Sequence, residues 1–300
     1  SSHHPKGKHM NKKSSDREKS KLLFLSEIWM YIRWHIAKLV SIYKKIAVQT
    51  NGDLFCFLFN FMARLRKKDV RFYFDKQEII YSAESKKYKR YFFSKFQNYN
   101  SYLGGIEKRG ISLGEAYFLP NIKFNDNDTV IDCGANVGDL KIYFDENKLN
   151  VNYIGIEPSP SEFYCLSKNI ESAELYNIGL WSKNCTIDFY VSSQNADSSF
   201  HEPHLYNKKI LIPAKRLDSF FDKKIRLLKV EAEGSEPEAL IGCKKLLPKI
   251  DYISADLGYE RGISNESTLA PVTNFLLRNN FDLIDIRYPR IIALYKRRGI

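Results

Sequence analysis

The segment Val130–Asp139 (VIDCGANVGD) constrains the fold of this chain more than any other. An apolar strand carries an acid, Asp132, near its end, and Gly134 and Gly138 then lead into a helix with backbone open to close approach. The next predicted strand ends at Glu157, 25 residues after Asp132. An acid at that strand end can accept both hydroxyls of a ribose. The segment therefore predicts a strand–turn–helix unit that binds a nucleoside-type ligand.

From about residue 128, short apolar strands alternate with helical stretches, which predicts an α/β fold with a mostly parallel sheet. The predicted strands are Thr129–Cys133, Tyr153–Glu157, Glu174–Ile178, Ile225–Glu231, Tyr252–Asp256, Leu283–Arg287 and Ile291–Tyr295, with an extra hairpin of Thr186–Val191 and Lys209–Pro213. The turn Tyr288-Pro289-Arg290 joins the last two strands, so they should pair antiparallel. Seven strands ending in a hairpin predict a Rossmann-like, class I methyltransferase fold.

The glycine spacing separates two cofactors. NAD binding requires G-x-G-x-x-G with room for a pyrophosphate, whereas this chain has G-x-x-x-G preceded by Asp132. The acid would repel a pyrophosphate but suits the cationic methionine part of S-adenosylmethionine (SAM). No G-K-[ST] follows, which excludes a P-loop. A NAD-dependent dehydrogenase and a tight turn with a solvated acid remain the alternatives.

These motifs resemble the FkbM family of SAM-dependent methyltransferases, over about Gly114 to Tyr295. The residues that carry the resemblance are Glu115, Val130–Gly138 (VIDCGANVG), Glu157-Pro158, Leu217-Asp218-Ser219, Leu228–Gly242 (LKVEAEGSEPEALIG) and Asp256–Gly262 (DLGYERG). The resemblance implies O-methylation of small molecules or glycans. With the acids already named, it predicts a SAM site of Glu115, Asp132, Gly134, Asn136, Gly138, Glu157 and Asn177. The family usually has Asp where this chain has Glu231.

Acidic residues at the ends of the fourth and fifth strands are the first candidates for the chemistry. Lys229, Glu231 and Glu233 alternate onto one face. We predict Glu231 as the general base, with Lys229 holding it ionised or touching the substrate. A cluster of helix-capping and salt-bridging side chains is the alternative. Asp256 ends the fifth strand, and Glu231 and Asp256 together could hold Mg²⁺.

The loop Asp197–His204 (DSSFHEPH) is the second candidate. A neutral His201 or His204 would make a good base near pH 7 or a metal ligand. An exposed polar loop is the alternative.

Positive charge is concentrated in the first third of the chain. Residues 1–10 resemble a purification-tag remnant. Residues 11–100 contain 20 basic and 8 acidic side chains, and residues 101–300 contain 25 and 27. We therefore predict a basic helical and hairpin region over 11–100 and a methyltransferase domain over 101–300. The predicted N-terminal elements are helices over 22–48, Leu54–Arg66 and Lys86–Phe96, a hairpin of Val70–Phe74 and Glu78–Ser82, and a glycine-rich stretch Tyr102–Glu115 that either closes over SAM or links the parts.

Three functions are open for the basic region: contact with a membrane surface through residues 22–68, binding of nucleic acid, or packing on the core or on a second subunit. Charged residues interrupt the apolar run at 22–48, so it does not predict a spanning helix. The five cysteines form no CxxC motif, which favours a reducing compartment. We therefore expect a cytoplasmic location, peripheral at the inner face of the membrane.

The expected function is a SAM-dependent O-methyltransferase acting on a saccharide hydroxyl, free or lipid-linked, in bacterial surface polysaccharide or glycan synthesis. An RNA methyltransferase is the second candidate. It is disfavoured because the [DN]-P-P-[YF] loop that grips a flipped base is absent. A non-catalytic protein with this fold and a membrane-docking arm is the third.

Overall fold

The computed structural model describes residues 26–300 except 32, 36–37, 39, 44, 94, 192–197 and 204–205, and for 95–98 it describes the backbone only. The chain divides into two compact units between Asn51 and Gly52. In the first unit, the described residues from 26 to 49 are helical and form α1. No helix among the described residues is long and apolar enough to cross a membrane.

The second unit alternates strands and helices after an N-terminal sheet. Its helices are α2 (Gly52–Leu65), α3 (Lys95–Leu103), α4 (Ile106–Ala116), α5 (Leu140–Glu146), α6 (Pro160–Asn169), α7 (Glu236–Ile241) and α8 (Leu269–Arg278). Its strands are β1 (Arg71–Asp75), β2 (Ile80–Glu84), β3 (Lys89–Phe92), β4 (Thr129–Cys133), β5 (Asn152–Ile156), β6 (Glu174–Tyr176), β7 (Gly179–Leu180), β8 (Cys185–Val191), β9 (Lys208–Lys215), β10 (Ile225–Val230), β11 (Ile250–Asp256), β12 (Tyr259–Arg261), β13 (Glu266–Ser267), β14 (Phe281–Arg287) and β15 (Ile292–Arg297).

The central sheet has seven strands in the order β14-β15-β11-β10-β4-β5-β6. The five strands from β11 to β6 pair in parallel, and β15 pairs antiparallel with both β11 and β14. Buried apolar residues such as Ile131, Leu228 and Ile253 fill these strands because helices cover both faces. This order confirms the predicted class I methyltransferase fold, including its antiparallel last hairpin.

The N-terminal sheet corrects one prediction. β1 and β2 form the expected hairpin, but Lys89–Phe92 is a third strand where a helix over Lys86–Phe96 was predicted. Arg90 and Phe92 are buried in alternation, and the ring of Phe92 stacks 5.7 Å from that of Tyr81. The aromatic packing of β3 on β2 overrides the helical appearance of this basic run.

Residues 52–100 belong to the second unit, so the structure shows no division at the predicted boundary of residue 100. Arg90 of β3 donates to Val137 O at 2.6 Å and lies 3.3 Å from the carboxylate of Asp139. The side-chain amide of Asn169 bonds the backbone of Tyr91. The N-terminal sheet is therefore joined to the glycine loop and to the helix that follows β5.

The glycine-rich stretch Tyr102–Glu115 contains most of helix α4, which packs against α5. Gly110 and Gly114 face Ile142 and Tyr143 of α5, and a Cβ at Gly110 would lie 2.4 Å from Ile142 Cβ. Glycine is required here because the two helices approach too closely for a side chain. Arg109 of α4 also lies 3.3 Å from the carboxylate of Asp139, directly before α5.

We expect Gly110→Ala to lower the free energy of unfolding by about 1–3 kcal/mol, because the added methyl overpacks the contact between α4 and α5. Urea denaturation measures the change. The control is Gly104→Ala, where the nearest atom to the added Cβ would be 3.5 Å away. Equal stability of the two variants would contradict the close packing.

Candidate active site

A cavity of about 400 Å³ opens beyond the carboxyl ends of β4, β5 and β10. Its volume is within the range of small-molecule sites, and its position is where open α/β sheets bind ligands. The loop 134–137 and Glu157 line one part of it. Glu231, Glu233, Glu260 and Arg290 line another. The cavity therefore joins a nucleoside-type half to a charged half.

The glycine loop follows β4 directly and shapes the first half. Gly134 has a φ of 74°, and a Cβ there would lie 1.9 Å from Glu231 O. Only glycine allows this turn to pass so close to the end of β10. Asn136 also has a positive φ, and its backbone N donates to Glu157 Oε2 at 2.7 Å. The loop thus connects the ends of three neighbouring strands.

Glu157 faces the cavity from the end of β5. Its other carboxylate oxygen accepts from Ser159 N at 2.8 Å. Burial, together with the nearby charge of Glu162, raises the pKa of Glu157 to about 8. A pair of hydroxyl donors would favour its charged form, so this carboxylate fits the ribose of SAM. The cavity volume and the loop 134–137 fit the rest of a nucleoside.

A buried lysine connects β4 with β10. Lys229 and Asp132 are register partners, and Lys229 Nζ lies 2.9 Å from Asp132 Oδ1 and 3.0 Å from Glu231 Oε2. It also donates to Gly134 O at 2.8 Å. Tyr153 OH donates to the other oxygen of Asp132 at 2.5 Å. Asp132 was predicted to face the methionine part of SAM, but its charge is already balanced by Lys229.

Arg290 holds the two predicted catalytic acids together. Its guanidinium forms ion pairs with both Glu231 and Asp256. Burial acts to raise the pKa of Glu231, but Lys229 and Arg290 outweigh it and lower the pKa to about 2. Asp256 is fully buried and is absent from the cavity lining. Glu231 borders the cavity as an ion-paired carboxylate, and Asp256 acts through Arg290.

The predicted magnesium site at Glu231 and Asp256 does not fit the structure. A guanidinium bridges the two carboxylates, in the position a cation bound to both would take. Among the described residues, no group of three or more His, Cys, Asp or Glu side chains is arranged to hold a metal ion.

Several predicted residues lie away from the cavity lining. Glu115 is on the exposed face of α4, and Gly138 packs against Leu166 and Ile170. Asn177 donates to the carbonyls of Glu157 and Pro158 and supports the turn after β5. Neighbouring residues on the same elements line the cavity instead: Leu113, Val137, and Ile178 to Leu180.

His201 is also outside the lining, and its Nε2 lies 3.9 Å from Glu238 Oε2. Its neighbours Ser198 and Phe200 face the cavity in its place. His204 lies outside the described residues. The structure therefore does not bring His201 to the cavity lining.

Two residues of the cavity lining, Arg290 and Glu260, were not predicted, and neither was the buried Tyr117 beside Lys229. The ring of Tyr117 lies 5.1 Å from Lys229 Nζ, and burial with the nearby charge of Glu231 raises the pKa of its hydroxyl. Arg290 is 59 residues from Glu231 in the chain. Only the antiparallel last hairpin carries it back to β11. The one available signal was the position of Arg290 in the turn of that hairpin.

The fold and the site define a class I SAM-dependent methyltransferase architecture. The sequence model of the Methyltransferase FkbM domain family matches residues 132–282, which is half of the chain. The chain therefore belongs to the FkbM methyltransferase domain family, and the resemblance found in its motifs is confirmed.

Individual relatives are distant. "Methyltransferase 1" of Beauveria bassiana (strain ARSEF 2860) is 22% identical over 148 residues, 40% of this chain and 59% of that protein. The solved methyltransferase FkbM from Methylobacillus flagellatus KT aligns with a TM-score of 0.45 and 19% identity, over 66% of this chain and 52% of that one. TrmK of M. capricolum in complex with S-adenosyl-homocysteine aligns with a TM-score of 0.37 and 12% identity, over 62% and 68%. The aligned region covers less than two thirds of the length of the Beauveria bassiana protein and of the Methylobacillus flagellatus protein.

We expect Lys229→Met to lower the free energy of unfolding by about 3–5 kcal/mol near neutral pH, because it leaves two carboxylates without their buried partner. Burial already raises the pKa of Asp132, and loss of the ammonium raises it further. The folded variant then binds more protons than its unfolded chain above the unfolded pKa, so its stability falls as the pH rises.

Urea denaturation at pH 5 and pH 8 measures both effects. Lys224→Met is the control, because Lys224 is 71% exposed and its partner Asp251 keeps Arg226 and Arg297. A Lys229→Met variant as stable as this control would contradict the central position of the buried lysine.

Proposed function

We propose that this protein is a SAM-dependent O-methyltransferase that acts on a saccharide hydroxyl in glycan synthesis. The observation that carries the proposal is that the glycine loop and Glu157 share one cavity with a charged region of Glu231, Glu233, Glu260 and Arg290. The first part suits SAM and the second suits an acceptor with several hydroxyls. Family membership supports methyl transfer as the reaction.

SAM supplies a methyl group already activated by its sulfonium. The protein then has to orient the acceptor, exclude water and accept a proton. Glu157 is placed to accept hydrogen bonds from the ribose hydroxyls. Phe189 and Phe200 line the cavity next to Gly179 and Leu180 and can exclude water from it. These side chains position the donor, and the acidic region meets the acceptor.

The acidic region suits a neutral hydroxyl-rich acceptor. Carboxylates accept hydrogen bonds from sugar hydroxyls, and Arg290 can donate one. Two exposed aromatic side chains flank these groups in the chain: Tyr259 precedes Glu260, and Tyr288 lies two residues before Arg290, at 67% and 65% exposure. Their apolar faces suit the C–H face of a sugar ring. An RNA acceptor is disfavoured because Glu231 and Glu233 border the site, and their negative charge would repel its phosphates.

The test is a screen for SAM-dependent methyl transfer to nucleoside-diphosphate sugars, polyprenyl-diphosphate-linked glycans, methyl glycosides and total RNA. We expect label from methyl-labelled SAM to enter a saccharide and stay absent from RNA. Transfer only to RNA, or no transfer to any member of the panel, would overturn the proposal.

Glu157→Gln tests the part of the cavity assigned to SAM, because an amide cannot accept hydrogen bonds from two hydroxyls as a carboxylate does. We expect calorimetric titration to show that the affinity for SAM falls about 10–100-fold, because the hydrogen bonds to a charged carboxylate are lost. The matched variant is Glu174→Gln on the exposed side of β6, which should bind as the native protein does. Equal affinities would remove Glu157 from the ribose site.

We also propose that α2 docks on an anionic membrane surface, where a lipid-linked glycan would be available. Leu54, Phe57 and Leu65 lie on one face of α2 and are 56%, 67% and 68% exposed. The exposed basic run 66–68 follows the helix directly, and Arg64 lies in its last turn. An exposed apolar stripe beside positive charge is complementary to acidic headgroups over acyl chains.

Vesicle sedimentation tests the membrane contact. We expect the full chain to bind phosphatidylcholine vesicles with 25% phosphatidylglycerol, and the Phe57→Glu/Leu65→Glu variant to lose most of that binding. Leu211→Glu is the control, because Leu211 is also exposed, at 69%, but lies on β9 in the sheet of β7, β8 and β9. Equal binding by all three proteins would overturn the contact. A dimer that the α2 variant disrupts would show instead that a second copy occupies this face.

A further inference from the structure

The carboxylates that line the cavity differ in how their charge is compensated. Six of the seven have an interaction partner in the structure: Asp132, Asp139, Glu157, Glu162, Glu231 and Glu233. Glu260 also lines the cavity, but the structure shows neither a hydrogen bond nor an ion pair between its carboxylate and any described residue. Its carboxylate is therefore available to a ligand.

The backbone directs Glu260 towards the acceptor region. β12 and β13 form a short antiparallel pair, with Tyr259 opposite Ser267 and Arg261 opposite Glu266. The register shifts between Tyr259 and Arg261, so Glu260 is the extra residue of a bulge. A bulge changes the direction of the side chain it carries and is common beside active sites.

The bulge is held firmly against the loop after β10. Arg261 donates to Gly234 O at 2.6 Å and to both oxygens of Glu238, at 2.7 and 2.9 Å. Gly234 has a φ of 89°, and a Cβ there would lie 2.5 Å from Arg261 Cα. The backbone of β12 thus contacts the loop that begins at Glu231. The contacts of Arg261 with Gly234 and Glu238 therefore hold the backbone on one side of Glu260, although the structure shows no hydrogen bond or ion pair between the Glu260 carboxylate and a described residue.

The other candidates for a base are less suitable. Glu231 pairs with both Lys229 and Arg290, and its pKa of about 2 makes it a weak proton acceptor. Asp256 is fully buried behind Arg290, and His201 lies outside the lining. A sugar hydroxyl has a high pKa, so its methylation benefits from a base whose pKa is near the working pH.

We propose that Glu260 is the catalytic base of the methyl transfer, which rests on the proposed function. As the acceptor oxygen forms its bond to the methyl carbon, the acceptor O–H bond breaks and the proton passes to the Glu260 carboxylate. The S–CH₃ bond breaks, and its electron pair remains on the sulfur of S-adenosylhomocysteine. The proton then leaves Glu260 for water, and the carboxylate is restored. Arg290 and Glu231 orient the acceptor beside it.

The groups around Glu260 predict the pH dependence of the reaction. Burial and the charges of Asp256 on β11, Glu231 after β10 and Glu236 on α7 raise its pKa to about 8, against the opposing charge of Arg290. Because its pKa is about 8, Glu260 is mostly protonated below pH 8. The carboxylate is the active form of a base, so activity requires loss of this proton. We expect kcat/KM to rise about tenfold per pH unit up to pH 8 and then to level off.

The test compares variants of the full chain with the most active saccharide of the acceptor panel. We expect Glu260→Gln to lower kcat about 10²–10⁴-fold and to lose the rise with pH, with the Kd for SAM within about twofold of native. Glu266→Gln, exposed on the opposite strand of the same hairpin, is the matched control and should keep both kcat and the pH profile. In Glu260→Ala, added formate should restore part of the activity by accepting the proton.

Each outcome decides the assignment. A Glu260→Gln variant that keeps its kcat and pH profile, or that loses SAM binding, would show that Glu260 is not the base. If Glu260→Gln fails to fold, as judged by its thermal transition, the formate response of Glu260→Ala decides, and no response would overturn the assignment. The native pH profile alone does not decide, because the pKa of Glu157 is also about 8. An inactive native protein across the whole saccharide panel is a different result, because it overturns the proposed function itself.

Discussion

The ion cluster centred on Lys229 is the interaction on which the site depends. A buried ammonium costs free energy unless carboxylates and carbonyls surround it, and Asp132, Glu231 and Gly134 O provide those partners. Their attraction holds the end of β4 against the end of β10 and sets where the glycine loop begins. Because Gly134 has no side chain, the turn can pass close to Glu231 O at this point.

Charge extends outward from that cluster in one direction. Glu231 forms ion pairs with both Lys229 and Arg290, and Arg290 also pairs with Asp256. A row of alternating positive and negative side chains therefore spans the ends of β4, β10 and β11. The pKa of Glu231 falls because both neighbours are cations, whereas that of Glu260 rises because carboxylates surround it. Two glutamates on one cavity thereby acquire different protonation behaviour. This contrast separates an orienting carboxylate from a proton-accepting one.

The N-terminal residues support the site in an unexpected way. Charge arithmetic separated residues 11–100 from the rest, yet β3 inserts the buried Arg90 beside Asp139 and Val137. Tyr102 OH donates to the same Asp139 at 2.7 Å. The basic excess therefore contains at least one structural cation, and the exposed basic residues after α2 are the part available to a surface.

Strand periodicity, G-x-x-x-G spacing and the strand-end acids Asp132 and Glu157 are local patterns, so they were enough to predict the sheet, the glycine loop and the family. The sequence also brought Lys229 and Glu231 together, since alternate residues share a strand face. Tertiary structure alone decided the partners of those acids. Arg290 reaches Glu231 through an antiparallel hairpin, and Glu260 turns inward at a bulge. Neither contact gives a periodic signal in the sequence, because each joins segments that are distant in the chain. The pKa of each carboxylate depends on burial and neighbouring charge, and these are set only when the segments pack together.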